Sequence, residues 1–209
     1  MPNIKLYYFD GEGRAEVIRL ILAESDIKYK DERIQVEDWP TLRKSGKIPF
    51  EVLPVLEVDG HTICQSATIA RYIARMGGLA GKTSLEQAKA DQIAEYLLSD
   101  LLNQYIQYML EDEELKKAEK WHECFEEAIP FHLEKFENML IENGGEYFTG
   151  KLTYADIAFY RFANVVKDFF NFEEAAKKFP KLTALYQRIA NLPNIRKWEE
   201  SKPKNHVPF

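Results

Sequence analysis

The chain has two cysteines in 209 residues, Cys64 and Cys124, with no C-x-x-C and no metal-ligand spacing. That argues against a disulfide framework and points to a reducing, cytoplasmic setting. Its four histidines, His61, His122, His132 and His206, form no H-E-x-x-H pattern, so zinc chemistry is not expected. No apolar run approaches the roughly 20 residues of a membrane span. The opening MPNIKLYYFDGEGR is too soon interrupted by charge for a signal peptide. Basic charge is also short: 28 Lys and Arg against 34 Asp and Glu leave a net charge of −6. A sequence-independent nucleic-acid surface needs clustered cations, so nucleic acid is not an expected partner.

What is present is ordinary globular material, 45% hydrophobic and 30% charged, enough for one large domain or two small ones. Residues 1–76 alternate short strand-like and helix-like pieces. IKLYYF (4–9) is rich in β-formers. The turn residues Asp10-Gly11-Glu12-Gly13 follow, then a helix with Ala15, Val17, Ile18, Ile21 and Leu22 on its apolar side. KYKDERI (28–34) is a weaker strand. Leu53–Val58 and His61–Cys64 flank Asp59-Gly60, a strong hairpin signal. This order predicts an α/β or α+β unit with a small mixed sheet.

Gly77-Gly78-Leu79-Ala80-Gly81-Lys82 is the best linker candidate, and the chain beyond it reads as helix. Trp121, Phe125, Ile129, Leu133, Phe136 and Leu140 recur at spacings of three and four, one buried stripe on a long helix. Thr153-Tyr154-Ala155-Asp156 has capping-box form, and Ile157 to Phe170 is apolar on most sides, which predicts a central helix. The acidic run Glu111 to Glu114 is expected at a solvated helix end or turn.

Within residues 51–75 Pro54 interrupts an apolar strand, and Gln65-Ser66 precedes a helix carrying Ile69, Ala70, Ile73 and Met76 on one stripe. A proline cannot donate to a sheet ladder, so Pro54 belongs at a strand start, an edge or a bulge. Ser66 suits an N-cap, while a helix N-terminus is also a ready carboxylate site.

YYFDGEGRAEVIR, DWP (38–40), LPVLEVDG, QSATIARYIAR, LAGKT (79–83) and TYADIA (153–158), in that order, resemble the glutathione S-transferases, most of all the sigma class. The resemblance implies a thioredoxin-like glutathione-binding domain over 1–78, a linker over 79–83 and an all-α domain over 84–209 that forms the electrophile pocket. It further implies a cis bond before Pro54, with the Leu53 backbone pairing the cysteinyl part of glutathione. Ser66, with Gln65, is implied to hold the γ-glutamyl carboxylate. Trp39 and Arg43 are implied at the glycine end, where Lys44 is an alternative. Asp100 of a neighbouring subunit, in competition with Ser99, is implied at the γ-glutamyl amine of a homodimer. Phe9, Gly13, Tyr105, Met109, Phe162 and Phe209 are candidates for the electrophile pocket. One departure stands out: Pro49-Phe50-Glu51 carries Glu where the family has Gly. The acidic cluster of vertebrate prostaglandin D synthases is largely replaced by Glu95, Leu98 and Ser99, so no metal dependence is expected.

The chemistry implied is thiolate attack. A thiol of pKa ~8.5 is only about 3% ionised at pH 7. A hundredfold gain in acidity takes about 2.7 kcal/mol. A phenol, ordinarily protonated at pH 7, can supply it by hydrogen-bonding the sulfur. Alternation places Tyr7 and Tyr8 on opposite faces; the family pattern makes Tyr8 the donor and Tyr7 a core residue. Arg14 either adds positive potential near the sulfur or forms a surface ion pair. The implied function is conjugation of glutathione to electrophiles, with or without a peroxidase side activity; the alternatives are prostaglandin H to D isomerisation or a non-catalytic, crystallin-like relative. No cysteine lies near 9–14, which disfavours a glutaredoxin-like oxidoreductase.

Overall fold

The computed structural model describes residues 2–46, 48–167 and 177–205. Alternation in the first segment becomes strand β1, Ile4–Phe9, with Ile4, Leu6 and Tyr8 buried and the residues between them half-exposed. A one-turn 3-10 helix at Gly13–Ala15 leads into α1, Glu16–Glu24. Then come β2, Lys30–Ile34, and the short α2, Trp39–Arg43. The hairpin is β3, Val55–Val58, and β4, His61–Cys64, followed by α3, Ser66–Met76. Strand β3 starts at Val55 because the ladder begins only after the proline. The hairpin turn has positive φ at both Asp59 and Gly60, as a two-residue connection requires.

The sheet order is β2-β1-β3-β4, with β1–β2 parallel and the other pairs antiparallel. Helix α1 packs against α3. Val17, Ile18, Leu20, Ile21 and Leu22 of α1 are buried with Ile69, Ala70, Ile73 and Ala74 of α3, whereas Met76, expected on the same stripe, is exposed. Fully burying one such aliphatic side chain is worth roughly 1.5–3 kcal/mol.

The second unit covers Ala80–Asn191. Among the described residues it contains α4, Ser84–Glu95, α5, Leu102–Met109, α6, Glu114–Trp121, α7, Ile129–Glu142, α8, Tyr154–Val166, and α9, Pro180–Ala190. A wide turn, His122–Ala128, joins α6 to α7 without a break. Pro130 lies just beyond it, and a proline inside a helix removes one donor and crowds the preceding turn, which the widened turn absorbs. Along this long helix Phe125, Ile129, Phe136 and Leu140 are buried as the stripe predicts, and Trp121 and Leu133 are half-buried. Helix α8 is buried on most sides; Phe170, expected at its end, lies outside the described residues.

The capping box at the start of α8 forms. The Asp156 carboxylate accepts from the Thr153 amide at 2.8 Å, the Thr153 hydroxyl at 3.0 Å and the Phe148 amide at 2.9 Å. Buried Glu137 serves α9 in the same way, accepting from the Lys181 and Leu182 amides at its N-terminus.

The final helix, α10, Pro193–Ser201, groups with the first unit, which comprises Met1–Leu79 and the chain from Leu192 on. The sequence places this helix in the helical domain over 84–209, and its side chains reach back to the first unit: Trp198 Nε1 donates to Glu16 at 2.8 Å, Lys202 pairs with Glu12 at 2.7 Å, and Ile195 is fully buried. Among the described residues no helix is long and apolar enough to cross a membrane.

Candidate active site

Strand register gathers the predicted residues. Tyr7 pairs with Val55, so the antiparallel chain carries Pro54 and Leu53 alongside Tyr8 and Phe9, at the carboxyl end of β1. Val55 pairs with Cys64, which brings Gln65 and Ser66 alongside Pro54. The Leu53–Pro54 bond is cis, Pro54 is buried, and Leu53 stands outside the β3 ladder. Trp39, the first residue of α2, meets Phe9 edge-on with ring centroids 5.7 Å apart. Arg43 closes α2 and Lys44 follows it, both exposed.

The two tyrosines separate clearly. Tyr7 is half-exposed, not core, and its hydroxyl donates to Glu57 at 3.2 Å. Burial and then the neighbouring Glu57 hold its phenol above the ordinary range, so its proton is committed. Tyr8 is buried, and its hydroxyl oxygen accepts the Arg14 backbone N–H at 3.1 Å. An oxygen already accepting polarises its own O–H, which remains to be donated elsewhere. Gly13 makes this possible. A Cβ there would press into the Tyr8 hydroxyl and stand 2.9 Å from Cζ, and the backbone has φ +39°.

Ser66 is the first residue of α3, and the N-cap position falls to Gln65, with φ +73° and ψ +117°. That corrects the expectation that Ser66 is the cap. Gln65 supplies no side-chain cap bond, so the helix start is left for another acceptor.

The loop between β1 and α1 is braced by a buried charge cluster. Arg19 has no exposed surface; its Nη1 donates to the Gly11 carbonyl at 2.6 Å and to Glu16 at 3.2 Å, and its Nε to Asp31 at 3.2 Å. Its guanidinium carbon sits 6.0 Å from the Tyr8 ring centroid. Arg33 ties Asp31 to Asp10 at 2.8 and 3.0 Å, and Trp198 closes the cluster through Glu16. Sequence reasoning missed Arg19, although a single arginine inside the apolar run Val17 to Leu22 is itself a sign of a buried partner.

Residues 3–75 match the glutathione S-transferase N-terminal domain, and residues 99–202 match the C-terminal domain. The chain is 36% identical to glutathione S-transferase 1 of Ascaris suum, over 98% of each chain. It is also 36% identical to hematopoietic prostaglandin D synthase of Gallus gallus, over 99% of this chain and 100% of that protein. A solved structure of prostaglandin synthase D of Nilaparvata lugens is similar at TM-score 0.86 and 33% identity, covering 97% of this chain and 100% of that one. The chain belongs to the glutathione S-transferase family.

It is an enzyme of that family, with the thioredoxin-like domain first and the helical domain second. The other predicted residues of the transferase take these places. Asp100 is exposed on the wide turn Tyr96–Leu101 of the helical unit, whereas the Ser99 hydroxyl is spent on Glu95 at 3.0 Å. Tyr105 packs edge-on to Phe125 at 6.4 Å, and Met109 is 46% exposed. Phe162 is buried beside a cavity of about 50 Å³ in its own unit, with Phe159, Leu182 and Tyr186 on the same wall. Phe209 lies outside the described residues. Among the described residues no cluster of His, Cys, Asp or Glu is gathered for a metal.

Proposed function

We propose that this chain binds glutathione at the carboxyl end of β1 and activates its thiol through the Tyr8 hydroxyl. The observation that carries this is the Arg14 N–H on the Tyr8 oxygen, which leaves the phenolic proton for the sulfur. Arg14 then acts through its backbone amide, a role that the sequence did not suggest. The γ-glutamyl carboxylate is taken by the uncapped start of α3 at Ser66, with Gln65 beside it. The Leu53 backbone, free of the ladder, pairs the cysteinyl part, and Trp39, Arg43 and Lys44 lie toward the glycine end. The protein's own thiols do not compete: burial pushes Cys64 up and Cys124 to about 11.

Two fates of the thiolate fit this site. One is conjugation to a small electrophile. The other is isomerisation of prostaglandin H to D, in which glutathione is regenerated. The relatives favour the second more than the sequence did, since prostaglandin D synthases align over 99% of the chain. A homodimer in the cytosol, with Asp100 reaching the partner's γ-glutamyl amine, completes the proposal.

A side-by-side assay with glutathione and either an aryl halide or prostaglandin H tests this. Conjugate formation is expected from a transferase; prostaglandin D with no loss of glutathione identifies the isomerase. Glutathione binding without turnover of either substrate would overturn both proposed fates of the thiolate.

A further inference from the structure

Arg43 is not presented as an unanswered cation. Its Nε donates to Glu51 Oε2 at 2.9 Å, and the two side chains are 53% and 56% exposed. Glu51 reaches this position from an unusual backbone. Phe50 and Glu51 both lie in the left-handed region, at φ +58° and +51°, just before the chain straightens at Val52. Glycine adopts that conformation without strain and glutamate does not, so the backbone here places a carboxylate where a side chain is the less comfortable choice. The resulting pair sits at the end of α2, whose first residue, Trp39, packs on Phe9, which in turn meets the Tyr8 ring edge-on.

We infer that Glu51 is a resident competitor for Arg43, and that it sets how strongly this site selects for a free carboxylate at the glycine end of its thiol substrate. The inference rests on the proposed placement of that carboxylate at Arg43. An incoming carboxylate has to displace Glu51 or share one guanidinium with a like charge, and either route cancels much of the gain from the new charge-assisted bond. A thiol with its C-terminal carboxylate esterified loses little by comparison. The site is therefore permissive toward glutathione-like thiols whose glycine end is neutral. The exposed pair is screened by salt, so this discrimination depends on ionic strength.

The test is binding of glutathione and of its glycyl monoethyl ester by the full chain, by Glu51→Gln and by Glu51→Gly. The parent is expected to bind the two thiols within about twofold of each other. Both variants are expected to bind glutathione about three- to fivefold more tightly, with the ester changed by less than about twofold. Added salt should erode the variants' gain. Equal changes for acid and ester, or a parent that already favours the acid about tenfold, would overturn the role of Glu51 while leaving the site intact. A parent that binds neither thiol overturns the glutathione site itself, and this role with it.

Discussion

The amide of Arg14 donates to the hydroxyl oxygen of Tyr8 across six residues, from a one-turn helix back to the strand that precedes it. The loop conformation and the orientation of the phenol are thereby one structural fact. Whatever holds the loop holds the phenol proposed to face the substrate sulfur.

Replacing Tyr8 by Phe should lower turnover about 10- to 100-fold while leaving glutathione affinity within a few-fold, because about 1.4–2.7 kcal/mol of thiolate stabilisation is removed. Ultraviolet titration of the bound thiol should show its ionisation moving toward that of free glutathione. Tyr7→Phe is the control and should stay within about twofold of the parent, since that hydroxyl faces Glu57. Equal activity of both variants would show the donor to be another group.

Gly13→Ala should damage catalysis more than folding. The new methyl group competes for the space of the Tyr8 hydroxyl, and φ +39° penalises any side chain there. A positive-φ alanine costs about 1–2 kcal/mol. Thermal unfolding should therefore shift by a few degrees, with turnover falling toward that of Tyr8→Phe. Unchanged kinetics would separate Gly13 from the placement of the phenol.

Arg19→Met should destabilise the first unit by about 3–5 kcal/mol, because buried Glu16 loses its guanidinium partner and the Gly11 carbonyl its donor, while Asp31 keeps only Arg33. Urea denaturation measures this directly. Lysine should recover only part, since an ammonium cannot hold the Gly11 carbonyl, Glu16 and Asp31 in one planar fork.

Asp156 gives the helical unit a pH signature. Burial pushes its carboxyl from an ordinary 3.8 to about 6, against the pull of the donors from Phe148 and Thr153. Below pH ~4 both folded and unfolded forms are protonated and the contribution is whole. As pH rises to about 6, the unfolded chain releases its proton first, and stability of up to about 3 kcal/mol is lost. Asp156→Asn should flatten that part of the stability–pH curve; an identical slope in parent and variant would show that Asp156 does not titrate there.

The sequence alone determined the local elements whose causes are local. Period-two and period-four patterns placed β1, α1 and the α7 stripe, Asp59-Gly60 fixed the hairpin, and the capping box at Thr153 and Asp156 marked the start of α8. The two tyrosine faces followed from strand alternation. Only tertiary structure decided what depends on partners distant in sequence. The residue at the α3 cap, the return of α10 to the first unit through Trp198 and Glu16, the Arg19 cluster and the ion pair between Arg43 and Glu51 are all of this kind. The physical reason is that a hydrogen bond or ion pair depends on distance in space, and the sequence encodes that distance only through the packing of every element between the two groups.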